Sequence, residues 1–153
     1  MTDPAVAGTE LDTVRFPVER GKLAELARAF HDDDPAWFDP AAARAAGFPG
    51  IPAPPTATVL ADHWRSDGAL TSALALGLDV ARLLHGEASW EYLVPVRAGD
   101  ELAGTARVVG VTTRDGRRGG TMTLITIETA FTNQDGAVAV IRRDTLIETA
   151  PPA

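Results

Sequence analysis

The sequence predicts an α+β domain, with helices in its first half and an antiparallel sheet in its second half. Apolar residues recur at three- and four-residue spacing between residues 21 and 32, which favours an amphipathic helix. Beyond residue 80, runs that alternate apolar and polar residues are separated by short turn sequences, which is typical of strands. We expect residues 1–12 to form a flexible tail and residues 13–150 to form one domain.

The first half contains a predicted strand, two predicted helices and a turn. Pro17 confines the strand to the edge of a sheet, because proline cannot donate to a neighbouring strand. Asp39 and Pro40 suit the N-cap and first turn of the second helix, and Gly47 suits its end. The four segments are TVRFPVE (13–19), GKLAELARAFHD (21–32), DPAAARAAGF (39–48) and the proline-rich turn FPGIPAPPT (48–56).

PTATVLADHWRS (55–66) predicts a central buried helix that begins at Pro55. We expect His63, on the apolar face of this helix, to be a hydrogen-bonded core residue. The predicted face consists of Val59, Leu60, His63 and Trp64. ALTSALALG (69–77) is expected to form a further short helix or an ordered loop.

Four runs in the second half predict strands. The short links between them predict that consecutive strands pair as an antiparallel meander. The runs are LLHGEASWEYLVPV (83–96), ELAGTARVVGVTT (101–113), TMTLITIETAFTN (121–133) and AVAVIRRDTLIET (137–149).

Composition excludes several classes of function. The formal net charge of −7 argues against nucleic acid as a partner, and the absence of cysteine excludes disulfides and thiolate sites. We see no signal peptide and no apolar run long enough to span a bilayer, so we expect a cytoplasmic protein. No residues have paired metal-ligand spacing, so no metal is expected. Two arginine groups are alternatives for binding a phosphorylated ligand: Arg114, Arg117 and Arg118, or Arg142 and Arg143.

Three local motifs resemble the MaoC-like hot-dog hydratases and dehydratases, in particular their non-catalytic half. They are FHDDDPAWFDPAAARAAGFPGIPAPPT (30–56), LLHGEASWEY (83–92) and YLVPVRAGDEL (92–102). The resemblance covers roughly residues 12 to 149. It implies a single hot-dog fold, in which an antiparallel sheet wraps around a long central helix.

The resemblance also implies a chemistry, the addition of water to a trans-2-enoyl thioester or its removal from a (3R)-hydroxyacyl thioester. The family uses an Asp–His pair within the motif Asp-x-Asn-Pro-x-His. In FHDDDPAWF (30–38), Asp32 matches the catalytic Asp, but Trp37 stands at the histidine position. Indole has no basic nitrogen and cannot exchange protons at neutral pH. The resemblance therefore implies an accessory subunit, completed by a catalytic MaoC-like partner in a heterodimer.

Candidate site residues follow from the same motifs. Asp32 and His85 are weak catalytic candidates, and the expected substrate is an acyl thioester of CoA or an acyl carrier protein, with no cofactor. The expected substrate-binding residues are Trp37, Phe38, Ile51, Thr56, His85, Gly86 and Trp90. The proline-rich turn argues against a complete active site in this chain, because proline has no N–H group to donate to a thioester carbonyl.

Plainer roles remain open for these residues. Asp32, Asp33 and Asp34 suit loop and helix capping, Trp37 and Phe38 suit core or interface packing, and His85 suits a structural hydrogen bond. Two alternatives to the accessory subunit also remain. One is a self-sufficient homodimeric enzyme that uses His85 or Asp32, and the other is a non-enzymatic module that binds acyl thioesters.

Overall fold

One antiparallel sheet of five strands forms the frame of the molecule. The computed structural model describes residues 6–64, 71–116 and 120–151. The strands are β1 (Glu10–Pro17), β2 (Leu83–Tyr92), β3 (Glu101–Asp115), β4 (Thr121–Thr132) and β5 (Val138–Glu148). All five predicted strands are confirmed. Strand β1 begins earlier than its predicted start at residue 13, and the division of the chain into tail and domain stays a prediction.

The strand order, β1-β3-β4-β5-β2, differs from a simple meander. Strand β3 pairs with β1 on one side and β4 on the other, so it has no free edge for β2. Strand β2 pairs with β5 instead. The link at 93–100 can reach about 25 Å when extended, whereas the three strand spacings between β2 and β3 total about 14 Å. The predicted pairing of β2 with β3 is therefore wrong, and Pro17 does lie on an edge strand.

The helices of the first half agree with their predictions. They are α1 (Arg20–Ala29) and α2 (Pro40–Ala45), and α3 (Thr71–Ala75) follows later in the chain. Asp39 caps α2, because its Oδ1 accepts a hydrogen bond of 2.9 Å from the N–H of Ala41. Gly47 follows α2 with φ of +91°, a conformation that favours glycine.

The central helix differs from its prediction. Ala57–Trp64 form a 3₁₀-helix of eight residues, which packs against the inward face of the sheet through Ala57, Thr58 and Ala61. A 3₁₀-helix has three residues per turn, so Thr58 and Ala61 lie one above the other. Val59 and Trp64 are 40% and 36% exposed, and His63 is exposed too. The prediction is therefore wrong for Val59 and for His63 as a core residue, whereas Leu60 packs against the core and Trp64 contacts the ring of Phe16.

The inward face of the sheet is covered by two apolar clusters. The larger joins the first-half helices to the sheet and contains Phe16, Leu23, Ile51, Ala61 and Phe131. The smaller lies beneath α3 and contains Leu76, Leu78, Val108, Ile125 and Ile127. No helix in the described part of the chain is long and apolar enough to cross a membrane.

Candidate functional site

A cavity of about 280 Å³ lies between α3, the central 3₁₀-helix and the inward face of the sheet. Its apolar lining consists of Ala73, Leu83, Leu84, Ala106, Ile127 and Leu146. Its polar lining consists of Asp62, Ser72, His85, Thr129, Arg142 and Asp144. The cavity therefore combines an apolar wall with one group of convergent polar side chains, as ligand sites do.

Strand pairing explains why these side chains converge. Successive side chains on a strand point to opposite faces, so Arg142, Asp144 and Leu146 of β5 share the inward face. Arg142 lies opposite Thr129 of β4, and Asp144 lies opposite Ile127. His85 of β2 lies opposite Leu146, next to a bulge at which Gly86 is the extra residue.

Arg142 is the centre of the polar group and is only 6% exposed. Its Nη1 donates to the carbonyl oxygen of Thr58 at 3.0 Å, and its Nη2 lies 3.1 Å from both carboxylate oxygens of Asp62. Its Nε donates to Asp144 Oδ2 at 2.7 Å. The guanidinium also lies 5.9 Å from the ring centre of Phe131, within cation–π range. Arg142 thus joins the central helix to the carboxylate of β5.

Asp144 extends this network to His85. Its Oδ1 lies 3.2 Å from Nε2 of His85, while its Oδ2 is held by Arg142. The side chain of His85 is 55% exposed, whereas the side chain of Asp144 is 15% exposed and that of Arg142 is buried. His85 therefore lies at the mouth of the cavity and Arg142 lies in its interior. A histidine held by a carboxylate is able to exchange a proton or to bind a polar group.

No residue of the acid-rich loop at 30–38 lines this cavity. Asp32 Oδ1 accepts from the N–H of Asp34 at 3.1 Å, and Asp34 Oδ1 accepts from the N–H of Ala36 at 2.8 Å. Asp34 is the N-cap of the 3₁₀-helix Pro35–Trp37. Both carboxylates therefore serve the backbone, which is the capping role left open for them. Within the described residues, no group of three or more acidic or histidine side chains could hold a metal ion.

The expected substrate-binding residues do not gather at one place. His85 lines the cavity and Gly86 follows it, but Trp37, Phe38, Ile51, Thr56 and Trp90 are not among the lining residues. Ile51 is 3% exposed and belongs to the larger apolar cluster. Trp90 donates from Nε1 to Thr58 Oγ1 at 2.9 Å and packs against the same cluster. These positions are consistent with structural roles for Ile51 and Trp90.

Trp37 and Phe38 lie beside α1 and α2. Arg28 lies 5.1 Å from the ring centre of Phe38. Nε1 of Trp37 is buried, and among the described residues it has no hydrogen-bond partner. A buried N–H without a partner costs free energy, so packing has to offset this loss.

Tyr92 fastens the proline-rich turn to the end of β2. Its hydroxyl donates to the carbonyl oxygen of Pro55 at 2.8 Å. Burial raises the pKa of the Tyr92 hydroxyl to about 12, because the phenolate would lose its hydration. The neutral hydroxyl of Tyr92 therefore fixes the carbonyl of Pro55, the residue before Thr56.

Sequence reasoning missed the convergence of Asp62, Arg142 and Asp144. A signal was present in VAVIRRDTLIE, because Val140, Arg142, Asp144 and Leu146 alternate with the side chains of the opposite face. Charged residues at two inward positions of an otherwise apolar face are unusual and indicate a paired or functional group. Of the predicted arginine groups, Arg117 and Arg118 lie outside the described residues.

Comparison with known proteins gives a family likeness over nearly the whole chain. Residues 5–142 match the family described as FAS1-like, dehydratase domain region. The UPF0336 protein of Saccharopolyspora erythraea is 33% identical over 135 residues, which cover 88% of this chain and 83% of that protein.

Solved structures agree with this likeness. The HadBC (3R-hydroxyacyl-ACP dehydratase) complex of Mycobacterium tuberculosis contains a chain that superposes with a TM-score of 0.73 and 26% identity. The match covers 93% of this chain and 96% of that one. A MaoC-like dehydratase superposes with a TM-score of 0.77 and 28% identity, over 95% of this chain and 43% of that one. The hot-dog fold expected from the three motifs is confirmed.

Proposed function

Because the chain belongs to the family of FAS1-like dehydratase domain regions, we propose that it is the accessory subunit of a hydratase or dehydratase. The enzyme would be an (R)-specific enoyl-thioester hydratase, or equivalently a (3R)-hydroxyacyl-thioester dehydratase. A partner hot-dog subunit supplies the catalytic Asp–His pair, and this chain contributes an acyl pocket. The acyl carrier is CoA or an acyl carrier protein.

The observation that carries the proposal is the chemistry of the loop at 30–38. Acid–base catalysis needs a positioned proton donor and acceptor within hydrogen-bond reach of the substrate. Asp32 and Asp34 accept hydrogen bonds from backbone N–H groups. The histidine position of the family motif is occupied by Trp37, which has no basic nitrogen. At the histidine position of the motif this loop therefore offers no base, which supports an accessory role.

The cavity supports the second part of the proposal. Six apolar side chains line it, and burial of an acyl chain against them stabilises a complex by about 25 cal/mol for each Å² of apolar surface removed from water. The cavity volume of about 280 Å³ is at the lower end of ligand pockets, so it suits a short acyl chain.

The test is hydration of crotonyl-CoA, followed as loss of the enoyl thioester. The purified chain is assayed alone and after co-purification with a hot-dog protein of the same genome that carries Asp-x-Asn-Pro-x-His. We expect turnover only in the mixture, and loss of turnover when the partner's motif histidine is replaced by alanine.

Turnover by the chain alone that disappears in His85→Ala, while a His63→Ala control keeps it, would overturn the accessory role. His63 is a matched control, because it is an exposed histidine that does not line the cavity.

That outcome would support a second candidate, a self-sufficient homodimeric hydratase. The contact of 3.2 Å between His85 Nε2 and Asp144 Oδ1, at the mouth of an apolar cavity, favours it. A carboxylate-held histidine resembles the base of many hydrolytic sites, in which the carboxylate orients the ring. The same assay separates the two candidates.

A further inference from the structure

We propose that His85 and Asp144 form a hydroxyl-recognition site, in which a hydroxyl group on a bound acyl chain donates a hydrogen bond to Nδ1 of His85. The inference rests on the proposed function only in taking an acyl chain as the occupant of the cavity. It assigns to this chain a selectivity for hydroxylated acyl groups that does not depend on where the catalytic pair lies.

The tautomer of His85 carries the argument. Asp144 accepts hydrogen bonds when ionised, so a neutral His85 carries its proton on Nε2 and donates it to Asp144 Oδ1 at 3.2 Å. Nδ1 then presents a lone pair, and it has no hydrogen-bond partner in the part of the chain that the structure describes. A ligand group that meets this lone pair must be a donor, and a hydroxyl group is one.

Asp144 is itself held in place. Its second oxygen accepts from Arg142 Nε at 2.7 Å, and Arg142 is anchored to Thr58 and Asp62 of the central helix. A site whose polar groups are fixed before binding loses little entropy when the ligand arrives. The acceptor atom of His85 is therefore oriented by a chain of contacts that begins in the interior of the fold.

Charge restricts the ligand at this mouth. Asp62, Arg142 and Asp144 carry formal charges of −1, +1 and −1, which with a neutral His85 sum to −1 among the described lining residues. A carboxylate or phosphate at the mouth would be repelled by this net charge. A neutral hydroxyl group is not repelled.

The cavity places the rest of the ligand. Its mouth is polar at His85, whereas Ala106, Ile127 and Leu146 form an apolar wall below. An acyl chain that enters tail first brings the carbon atoms nearest its thioester to the mouth. A hydroxyl group at C3 is thus the natural partner of His85.

The lone pair on Nδ1 distinguishes three ligands of nearly equal size. A 3-hydroxyacyl chain supplies a donor, a 3-oxoacyl chain supplies only an acceptor, and a saturated chain supplies neither. One hydrogen bond corresponds to about a five-fold difference in affinity. We expect the hydroxyacyl ligand to bind about five-fold more tightly than the other two.

The experiment is isothermal titration of the full chain with hexanoyl-CoA, (3R)-3-hydroxyhexanoyl-CoA and 3-oxohexanoyl-CoA, at about pH 8, where histidine is ordinarily neutral. His85→Phe keeps a ring of similar size but removes the acceptor, and we expect it to abolish the preference for the hydroxyl ligand. His63→Phe is the matched control and should leave the preference unchanged.

Two cavity-filling variants, Ala106→Leu and Ala73→Leu, establish where the ligands bind. Either variant should weaken the binding of all three ligands. Circular dichroism establishes whether each variant is folded, and Ala73→Leu is used if Ala106→Leu is not. Equal affinity for the three thioesters, with weaker binding in a filled variant, overturns the hydroxyl site but leaves the acyl pocket standing. No binding of any thioester, or binding that both folded filled variants leave unchanged, overturns the acyl pocket and the hydroxyl site together.

Discussion

Both carboxylate oxygens of Asp62 lie 3.1 Å from Nη2 of Arg142, and this ion pair fastens the central 3₁₀-helix to β5. The same guanidinium binds Asp144 through Nε, so its loss removes the cation that these two carboxylates share. The helix that closes the cavity is therefore held by charge as well as by the apolar contacts of Ala57 and Ala61.

Arg142→Met is expected to lower the free energy of unfolding by about 3 kcal/mol, because Asp62 and Asp144, which are largely buried, each lose a charged partner. Denaturant unfolding measures the change. Arg143→Met is the matched control on the opposite face of β5, where the side chain is 41% exposed. We expect a loss of at most about 1 kcal/mol there, and equal losses in the two variants would contradict the role given to Arg142.

Gly104→Ala is expected to destabilise the fold by about 1–3 kcal/mol, by overpacking. A Cβ at this position would lie 2.6 Å from Cε1 of Phe131, a fully buried ring that has little room to move. Gly110→Ala is the control in the same strand, where the nearest atom would be 3.8 Å away. In thermal unfolding, Gly104→Ala should melt at a clearly lower temperature than Gly110→Ala. Similar melting temperatures for the two variants would contradict the overpacking argument.

Trp90→Phe is expected to cost about 1–3 kcal/mol, because it leaves the buried hydroxyl of Thr58 without its donor. Thr58→Val removes the hydroxyl instead. If the hydrogen bond of 2.9 Å is what matters, the double variant should lose less than the sum of the two single losses. A double-mutant cycle by chemical denaturation measures this coupling, and strict additivity would show that the bond contributes nothing.

Stability is expected to fall as the pH rises from about 10 to about 12, because of Tyr92. The pKa of its hydroxyl is raised to about 12 in the folded protein but is about 10 in the unfolded chain. Between these values the unfolded chain has lost a proton that the folded protein keeps, so deprotonation favours unfolding. Tyr92→Phe should reduce this loss, as seen by denaturation at several pH values.

Tyr92 is the single tyrosine of the chain, so the ultraviolet absorbance of tyrosinate reports this residue alone. An absorbance titration of the folded protein should give a midpoint near 12. A midpoint close to the ordinary value of about 10 would show that burial does not hold the proton.

Much of the fold was predictable because its signals are local. Alternation of apolar and polar residues located the strands, and Asp39 with Pro40 located the start of α2. The pairing of β2 with β5 was not predictable in this way, because it depends on β3 having both of its edges occupied. Short links between strands carry no information about that competition.

The candidate site was predictable only in part. His85 stood out because of the motif that contains it, whereas Asp62 and Arg142 come from segments about 80 positions apart. Their meeting depends on how the 3₁₀-helix lies on the sheet, and its close approach through Ala57 and Ala61 is a result of packing. Helical spacing of 3.6 residues instead predicted a different face and placed His63 in the core.

The pairing of β2 with β5 also sets the order of events during synthesis. A ribosome makes β2 well before β5, and β3 and β4 must both emerge before β2 has a neighbour in the sheet. At about 5–20 residues per second, the strand that carries His85 waits for seconds as an unpaired segment. The nascent chain therefore exposes, for that time, an unpaired strand that later forms the mouth of the cavity.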